Sequence, residues 1–467
     1  MESRSLRLEV CLRLGAWGLG LFLAFTSCSK DLRLISLDPC NSDASLLQHQ
    51  TLPGVSNLVR VYAPLGPDLT AHVNRIAQFN LRPQNPTRWK LDLRTSTNFF
   101  QRLLRQKAGD IVVVSGKANG RMAQIEALVR RRFHVFAGPP WVIDPGALPK
   151  LAATLKSAGR KRLVLMEPTP ERFEITFLLL CALVNDPEIF GVPIAGSIDA
   201  PAVQLKSVRR LDGEVGERAE LRAAWFFDTR RQAEGLSDAG AHLAGLAPWI
   251  LFPDQAIHCT NDIRVLSAAR RPILISRDQF FKLTAAREFP EFLHDDVAGD
   301  ALRWFGNHSV HYTLRGIHVK LDVVWAFQNA TEPAGGNSAV FRGSRSRIEI
   351  RPVGGADQRG EVFVLPNHAA EKSAVLAATS RRIEALGAEY PGLEVHDERA
   401  AIRIAIPEHH RLSREERFAL AAKRFLEFVR DPKRVPAWEA SNLLAKYYVA
   451  TMGSQLARQS QPADSER

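Results

Sequence analysis

The sequence predicts an α/β protein: an N-terminal doubly wound parallel sheet, then a C-terminal α/β domain with a largely antiparallel, open sheet. Three observations predict it. Between residues 31 and 166, short apolar runs alternate with segments of helical periodicity, the pattern of a parallel sheet with helices on both faces. Farther on, Ile317, Val319, Leu321, Val323, Trp325 and Phe327 alternate with His318, Lys320 and Asp322, as in a sheet with one packed and one polar face. The third is length: 467 residues exceed one ordinary core, so two domains and an appendage are expected.

Taken in order, the chain opens on Arg4, Arg7 and Arg13, an apolar run over 14–25, and Thr26-Ser27-Cys28. Basic residues, a short apolar run and small residues before a break make a secretory signal over 1–28 of lipoprotein type. The run is too short to span a bilayer, so a lipid on Cys28 would tether the chain rather than thread it. The protein is accordingly expected to be exported, to a bacterial periplasm or cell envelope. The sequence outside the signal keeps Cys40, Cys181 and Cys259, an odd and widely spaced set that is no disulfide framework.

Strands are expected at 31–37, 59–63, 110–115, 133–136 and 162–166, with helices from about 43, over 119–132 and over 148–158. Ligands of such a sheet sit at the carboxyl ends of its strands, here near Asp38, Ala63, Ser115 and Ala137. The turn after the first strand, Asp38-Pro39-Cys40-Asn41, holds no glycine, so the approach of a diphosphate to the backbone is not supported there. Residues 79–89 read as a polar loop with two prolines and an exposed Trp89, a mild sign of a binding loop. The domain boundary falls at 170/171. A buried helix over 178–184, strands from 203, one long strand over 311–327, further strands near 347–351, 361–365 and 402–406, and a helix over 369–385 complete a domain to 410. Two helices fill 411–460, the first opened by the capping box Ser413…Glu416. Residues 461–467 are expected to fray.

The net charge is +12, carried largely by scattered arginine clusters such as 130–132, 209–210 and 270–271. No basic stripe interleaved with aromatics and no zinc or helix-turn-helix spacing accompanies them, so nucleic acid is not expected. Metal ligation is not expected either, because His409 and His410 are adjacent and point apart.

The stretch with chemical promise is Gly235 to Trp249. On a helix, Asp238 and His242 share one face, and a carboxylate beside an imidazole orients the ring and fixes its tautomer. That pair suits proton transfer at a hydroxyl or carbonyl carbon. A solvated polar pair is the plainer reading. The small residues Ala239, Gly240 and Ala241 beside it would let a ligand approach.

Nine short stretches together resemble the glucose–fructose oxidoreductase / inositol dehydrogenase family, in its exported branch with a dedicated C-terminal domain. They include Leu37-Asp38-Pro39, Val112 to Gly116, Glu171-Arg172, Trp225 to Asp228, Glu234-Gly235, Asp238…His242, Tyr312 to His318 and Trp438-Glu439. The resemblance implies a Rossmann domain for NAD or NADP, with Asp38, Ser115, Gly116 and Pro140 as cofactor-side candidates. It implies a sugar- or cyclitol-like substrate held by Arg172, Trp225, Asp228, Glu234 and His318, with Asp238 and His242 as the catalytic pair. The expected partners are that substrate, a membrane through Cys28, and further copies of the chain. The family's third catalytic member, a lysine, falls on Pro139, which carries no charge and no proton. A relative that binds a carbohydrate or partner without turnover is therefore the alternative, followed by a nicotinamide-assisted glycoside hydrolase.

Overall fold

The computed structural model describes residues 31–41, 43–212, 221–327, 336–353 and 359–460. The signal with Cys28 and the tail from 461 lie outside these residues. Two compact units divide the described chain, residues 31–170 with 412–437, and residues 171–411 with 438–460.

The first unit is a parallel sheet of β1 (Leu34–Leu37), β2 (Leu58–Ala63), β3 (Lys90–Thr95), β4 (Ile111–Val114), β5 (His134–Ala137) and β6 (Leu165–Met166), in the order β3-β2-β1-β4-β5-β6. Its helices are α1 (Asp43–Leu46), α2 (Pro67–Leu81), α3 (Phe99–Gln106), α4 (Arg121–Arg130) and α5 (Leu148–Arg160). β1 and β4 are buried at every residue, as apolar strands covered on both faces must be. The strand order reverses between them, so their carboxyl ends, Asp38 and Ser115, flank the switch point of the doubly wound sheet. α12 (Arg414–Arg430), reached far along the chain, joins this unit. Phe418 and Phe425 set their rings 5.6 and 4.9 Å from Phe136.

Two expectations are corrected here. Trp89 is not exposed: it retains 6% exposure, and its indole N–H donates to the Gln48 carbonyl at 2.7 Å. The stretch before it is not a binding loop but the end of α2 and a turn pinned by Asn80, which bonds Thr87 and Trp89. The sequence also conceals α2, β3 and α3, so the 110–115 strand is the fourth rather than the third.

His72 of α2 is fully buried, and neither ring nitrogen has a hydrogen-bond partner among the described residues. Burial, aided by the Arg75 charge, pushes the imidazole down to about 4. An unfolded chain protonates the ring near 6.5 and the folded one near 4, so between these values the unfolded state holds more protons. Stability from this group is complete above pH 6.5 and falls as pH drops to 4, by about 3 kcal/mol in all. Urea unfolding across this window should show that loss in the wild type and lack it in His72→Leu.

The second unit is built on a sheet of ten strands: β7 (Val203–Arg210), β8 (Ile263–Ser276), β9 (Val297–Ala298), β10 (Ala301–Leu314), β11 (Ile317–Ala326), β12 (Gly336–Arg342), β13 (Ser346–Val353), β14 (Arg359–Pro366), β15 (Glu394–Asp397) and β16 (Ile402–Ala405). Their order is β15-β16-β14-β13-β12-β7-β11-β10-β8, with β9 on β10, and β7 with β11 is the parallel pair in an otherwise antiparallel sheet. The single long strand expected over 311–327 is instead a hairpin. Arg315 and Gly316 both take positive φ (49° and 80°), the turn whose twist suits adjoining antiparallel strands. The alternation changes phase across the turn, from Val310, Tyr312 and Leu314 to Ile317, Val319 and Leu321, which keeps the apolar residues of both arms on one face.

Helices α6 (Ile175–Val184), α7 (Thr229–Gln232), α8 (Ala241–Leu251), α9 (Cys259–Asp262), α10 (Arg277–Thr284), α11 (Lys372–Leu386) and α13 (Glu439–Gln459) complete this unit. α6 is buried at every residue, and α8 at all but His242. A helix apolar all round must lie inside, so the half-buried histidine is the exception that marks a site.

Candidate active site

The site is assembled at the start of α8. Glu234 is buried, and its carboxylate is gripped from three elements. Oε1 accepts from Arg270 of β8 at 2.6 Å and from Arg458 of α13 at 2.9 Å, while Oε2 lies 2.9 Å from Nε2 of His308 on β10. Burial alone would raise its pKa, but the His308 bond and the two guanidinium groups hold it down to about 2. Next to it, the Gly235 N–H donates to the Phe305 carbonyl at 3.1 Å. A Cβ on Gly235 would stand 1.8 Å from the Gly306 oxygen, so only glycine permits this approach to β10.

From that anchor, Leu236–Gly240 form one π-helical turn, closed by the Gly240 N–H to the Gly235 carbonyl at 2.9 Å. Ser237 ties the turn to α13 through Ser454 at 3.1 Å. Asp238 has its Oδ1 3.5 Å from Gln232 Nε2. The carboxylate at His242 Nδ1 is Glu171, with Oε2 at 3.3 Å, an ion-pair distance. The Glu171 and His242 side chains retain 11% and 15% exposure. Burial opposes ionisation of Glu171, yet the His242 ring, a backbone N–H and Arg209 outweigh it and hold the carboxyl well below the usual range.

The remaining substrate-side candidates are placed as follows. Arg172 Nη1 donates to Glu439 at 2.8 Å and its guanidinium lies over the rings of Trp438 and Trp249, at 5.3 and 6.0 Å. Trp225 lies half-buried in a short 3-10 segment, Ala224–Phe227. Asp228 is buried; it caps α7 by accepting from the Arg230 N–H and pairs with Arg230 and Arg231, each at 3.1 Å. His318, on β11, meets His311 of β10 at 3.1 Å on the less buried sheet face. Arg172, Asp228 and Glu234 therefore hold protein partners, and His242 stands with Glu171. Glu171 was not singled out from the sequence; its only signal was membership of the Glu171-Arg172 stretch.

In the first unit, Asp38 takes a left-handed conformation (φ 48°), and the Cys40 thiol donates to its Oδ1 at 3.2 Å. Burial raises the Asp38 carboxyl, against the Cys40 bond and the Lys117 charge, and burial with the Asp38 charge pushes the Cys40 thiol up. A Cβ on Gly116 would stand 2.5 Å from Asp38 Oδ2, so the space left by that glycine is taken by the aspartate. Ser115 is buried beside it, and its hydroxyl has no hydrogen-bond partner among the described residues. The Pro140 and Gly138 carbonyls, like that of Gly116, accept from the fully buried Arg121, which ties the ends of β4 and β5 together.

A nicotinamide dinucleotide requires backbone N–H groups open to its diphosphate at the first turn. Here an aspartate and a thiol fill the turn, and the helix after it, α1, has four residues. The turn does not fit a diphosphate. Among the described residues no group of three or more His, Cys, Asp or Glu could hold a metal ion.

Residues 179–458 match the family model "Putative oxidoreductase C terminal domain". A crystal structure of a "putative oxidoreductase" from Parabacteroides merdae is 30% identical, over 92% of this chain and 98% of that one, with a TM-score of 0.89. A 3-ketoreductase from Actinomadura kijaniata, solved with NADP, is 14% identical over 91% and 97%, with a TM-score of 0.55. A "putative myo-inositol dehydrogenase" from Sinorhizobium meliloti is 13% identical over 92% and 98%, with a TM-score of 0.51. No curated protein matches. The two lower identities speak to the fold, which is that of the inositol-dehydrogenase-like structures. With three fifths of its length under one family model and a 30% identical relative along nearly all of it, the chain belongs to the family of the oxidoreductase C-terminal domain.

Proposed function

We propose that the chain is an oxidoreductase acting at a hydroxyl-bearing carbon of a sugar- or cyclitol-like substrate, with His242 as proton carrier. The observation that carries this reading is the contact of the ionised Glu171 with His242 Nδ1 at 3.3 Å. The two atoms stand at ion-pair distance without closing a hydrogen bond; the negative carboxylate favours a proton on Nδ1 and so leaves Nε2 as the base for a substrate hydroxyl. Nε2 is placed to take the proton of a substrate hydroxyl, and Glu171 stabilises the imidazolium that results; the hydride of the same carbon would pass to a nicotinamide, the oxidant that this reading requires. The 3-ketoreductase of similar fold was solved in complex with NADP.

A second reading, a ligand-binding relative without turnover, is favoured by the Asp38–Cys40 filling of the turn and by Pro139 in the lysine position. Titration of NAD+ and NADP+ against the melting temperature, followed by turnover on a panel of sugars and cyclitols, separates the two. The oxidoreductase reading requires a rise in Tm with one dinucleotide, bound without its diphosphate in the first turn, and formation of reduced nicotinamide with at least one polyol. No Tm shift and no turnover, with a Tm rise on a sugar alone, would establish the second reading. We propose further that the chain is exported and tethered at Cys28, as the basic and apolar run before that residue supports; fractionation of cells making Cys28→Ser should move it from the membrane to the soluble fraction.

A further inference from the structure

In a parallel sheet, every helix that leads into a strand ends at the same edge, the one where strands begin. In the first unit, three such helix ends are basic: Arg105 to Lys107 before β4, Arg130 to Arg132 before β5, and Arg160 to Arg162 before β6. Contacts along the edge hold these ends together. Lys161 Nζ, after α5, donates to the Val129 carbonyl of α4 at 3.1 Å. The His134 N–H bonds the Asp110 carbonyl at 3.1 Å, and Asp110 pairs with Arg33, just before β1, at 3.0 Å.

Cations at helix C-termini are favoured by the helix dipole, and that alone would explain one in the last turn. It does not explain their backbone. Lys107, Arg132 and Arg162 each sit in the left-handed region, with φ of 43°, 63° and 55°, where glycine is the residue without penalty. Long basic side chains thus stand at three equivalent positions in a conformation that disfavours them. Counter-charge on this edge is sparse: Asp31 is exposed there, Glu126 pairs with Arg130 and Lys150, and Asp110 with Arg33. Arg131, Arg132, Arg160 and Arg162 are exposed.

The described chain also begins here. Asp31 stands three residues before β1, at this same edge, and Cys28 stands three residues before Asp31. A chain tethered at Cys28 would have this edge turned toward the surface that holds the tether.

We propose that the basic edge of the first unit is a docking surface for an anionic lipid bilayer, reading headgroup phosphates by charge. A basic patch beside a lipid anchor adds attraction to anionic headgroups and fixes which face meets the bilayer. The surface is independent of the oxidoreductase reading.

The test is co-sedimentation of the unlipidated full chain with vesicles of phosphatidylglycerol and phosphatidylethanolamine, against vesicles of phosphatidylcholine. The triple variant K107G/R132G/R162G removes three charges and relieves three left-handed residues, so its Tm should hold or rise. Binding to the anionic vesicles should fall at least about tenfold at physiological salt. Lysine at 132 and 162 should retain it. Equal binding by the wild type to both vesicle types would overturn the proposal. So would unchanged binding by the glycine variant, or tighter binding of the wild type to double-stranded DNA than to anionic vesicles at the same salt.

Discussion

His242→Ala should lower turnover by about two to four orders of magnitude while leaving the fold intact, because it removes the positioned proton carrier. The ring is the single half-buried side chain in an otherwise buried helix, so its loss leaves no large cavity. Glu171→Gln should cost less. The amide keeps the shape but no longer stabilises an imidazolium, and its NH2 can present a donor where an acceptor is needed. The two variants are compared on kcat and KM for the best polyol found. A fall in kcat with KM unchanged marks loss of an interaction made in the transition state, whereas a rise in KM alone would make His242 a substrate-binding residue instead.

Gly235→Ala should destabilise the second unit by about 3 kcal/mol and reduce turnover with it. The new Cβ would meet the Gly306 oxygen at 1.8 Å and its carbonyl carbon at 2.7 Å, and both are backbone atoms of a strand that cannot yield alone. Either β10 moves or the π-turn lifts, and a lifted turn carries His242 away from Glu171. Gly159→Ala is the control, since nothing lies within 4 Å of a Cβ there and the residue is in a helix. It should leave stability unchanged or raise it by about 0.5–1 kcal/mol. Chemical denaturation of the two variants checks both statements, and a Gly235→Ala protein as stable as the wild type would show that the turn is loosely held.

The architecture was legible in the sequence wherever burial was symmetrical. β1 and β4 read as strands because every residue in them is apolar or small and covered on both faces. β3 and β8 left no such mark. β3 is an edge strand with partly exposed residues throughout, and β8 runs along the far edge of the second sheet with arginines among its apolar residues. The hairpin at Arg315-Gly316 does leave a mark, a change of phase from even-numbered buried positions (Val310, Tyr312, Leu314) to odd-numbered ones (Ile317, Val319, Leu321), which a reading of the second arm alone passes over.

The site was legible only in part, for a different reason. Spacing along a sequence can pair Asp238 with His242, but it cannot show a π-turn, nor bring in Glu171 from 71 positions earlier. Glu234 and Asp228 read as ligand groups only through the family resemblance; their arginine partners lie on other elements or on the helix Asp228 caps. The absence of glycine after β1 was legible, and Asp38 and Cys40 stand in that turn.

The most direct measurement is a double-mutant cycle on kcat/KM across Glu171→Gln, His242→Ala and the pair. If the carboxylate acts through the imidazole, the double variant should be no slower than His242→Ala alone, because Glu171 has nothing left to orient. If the two losses multiply, Glu171 works independently of His242, and the dyad that underlies the proposed chemistry does not exist.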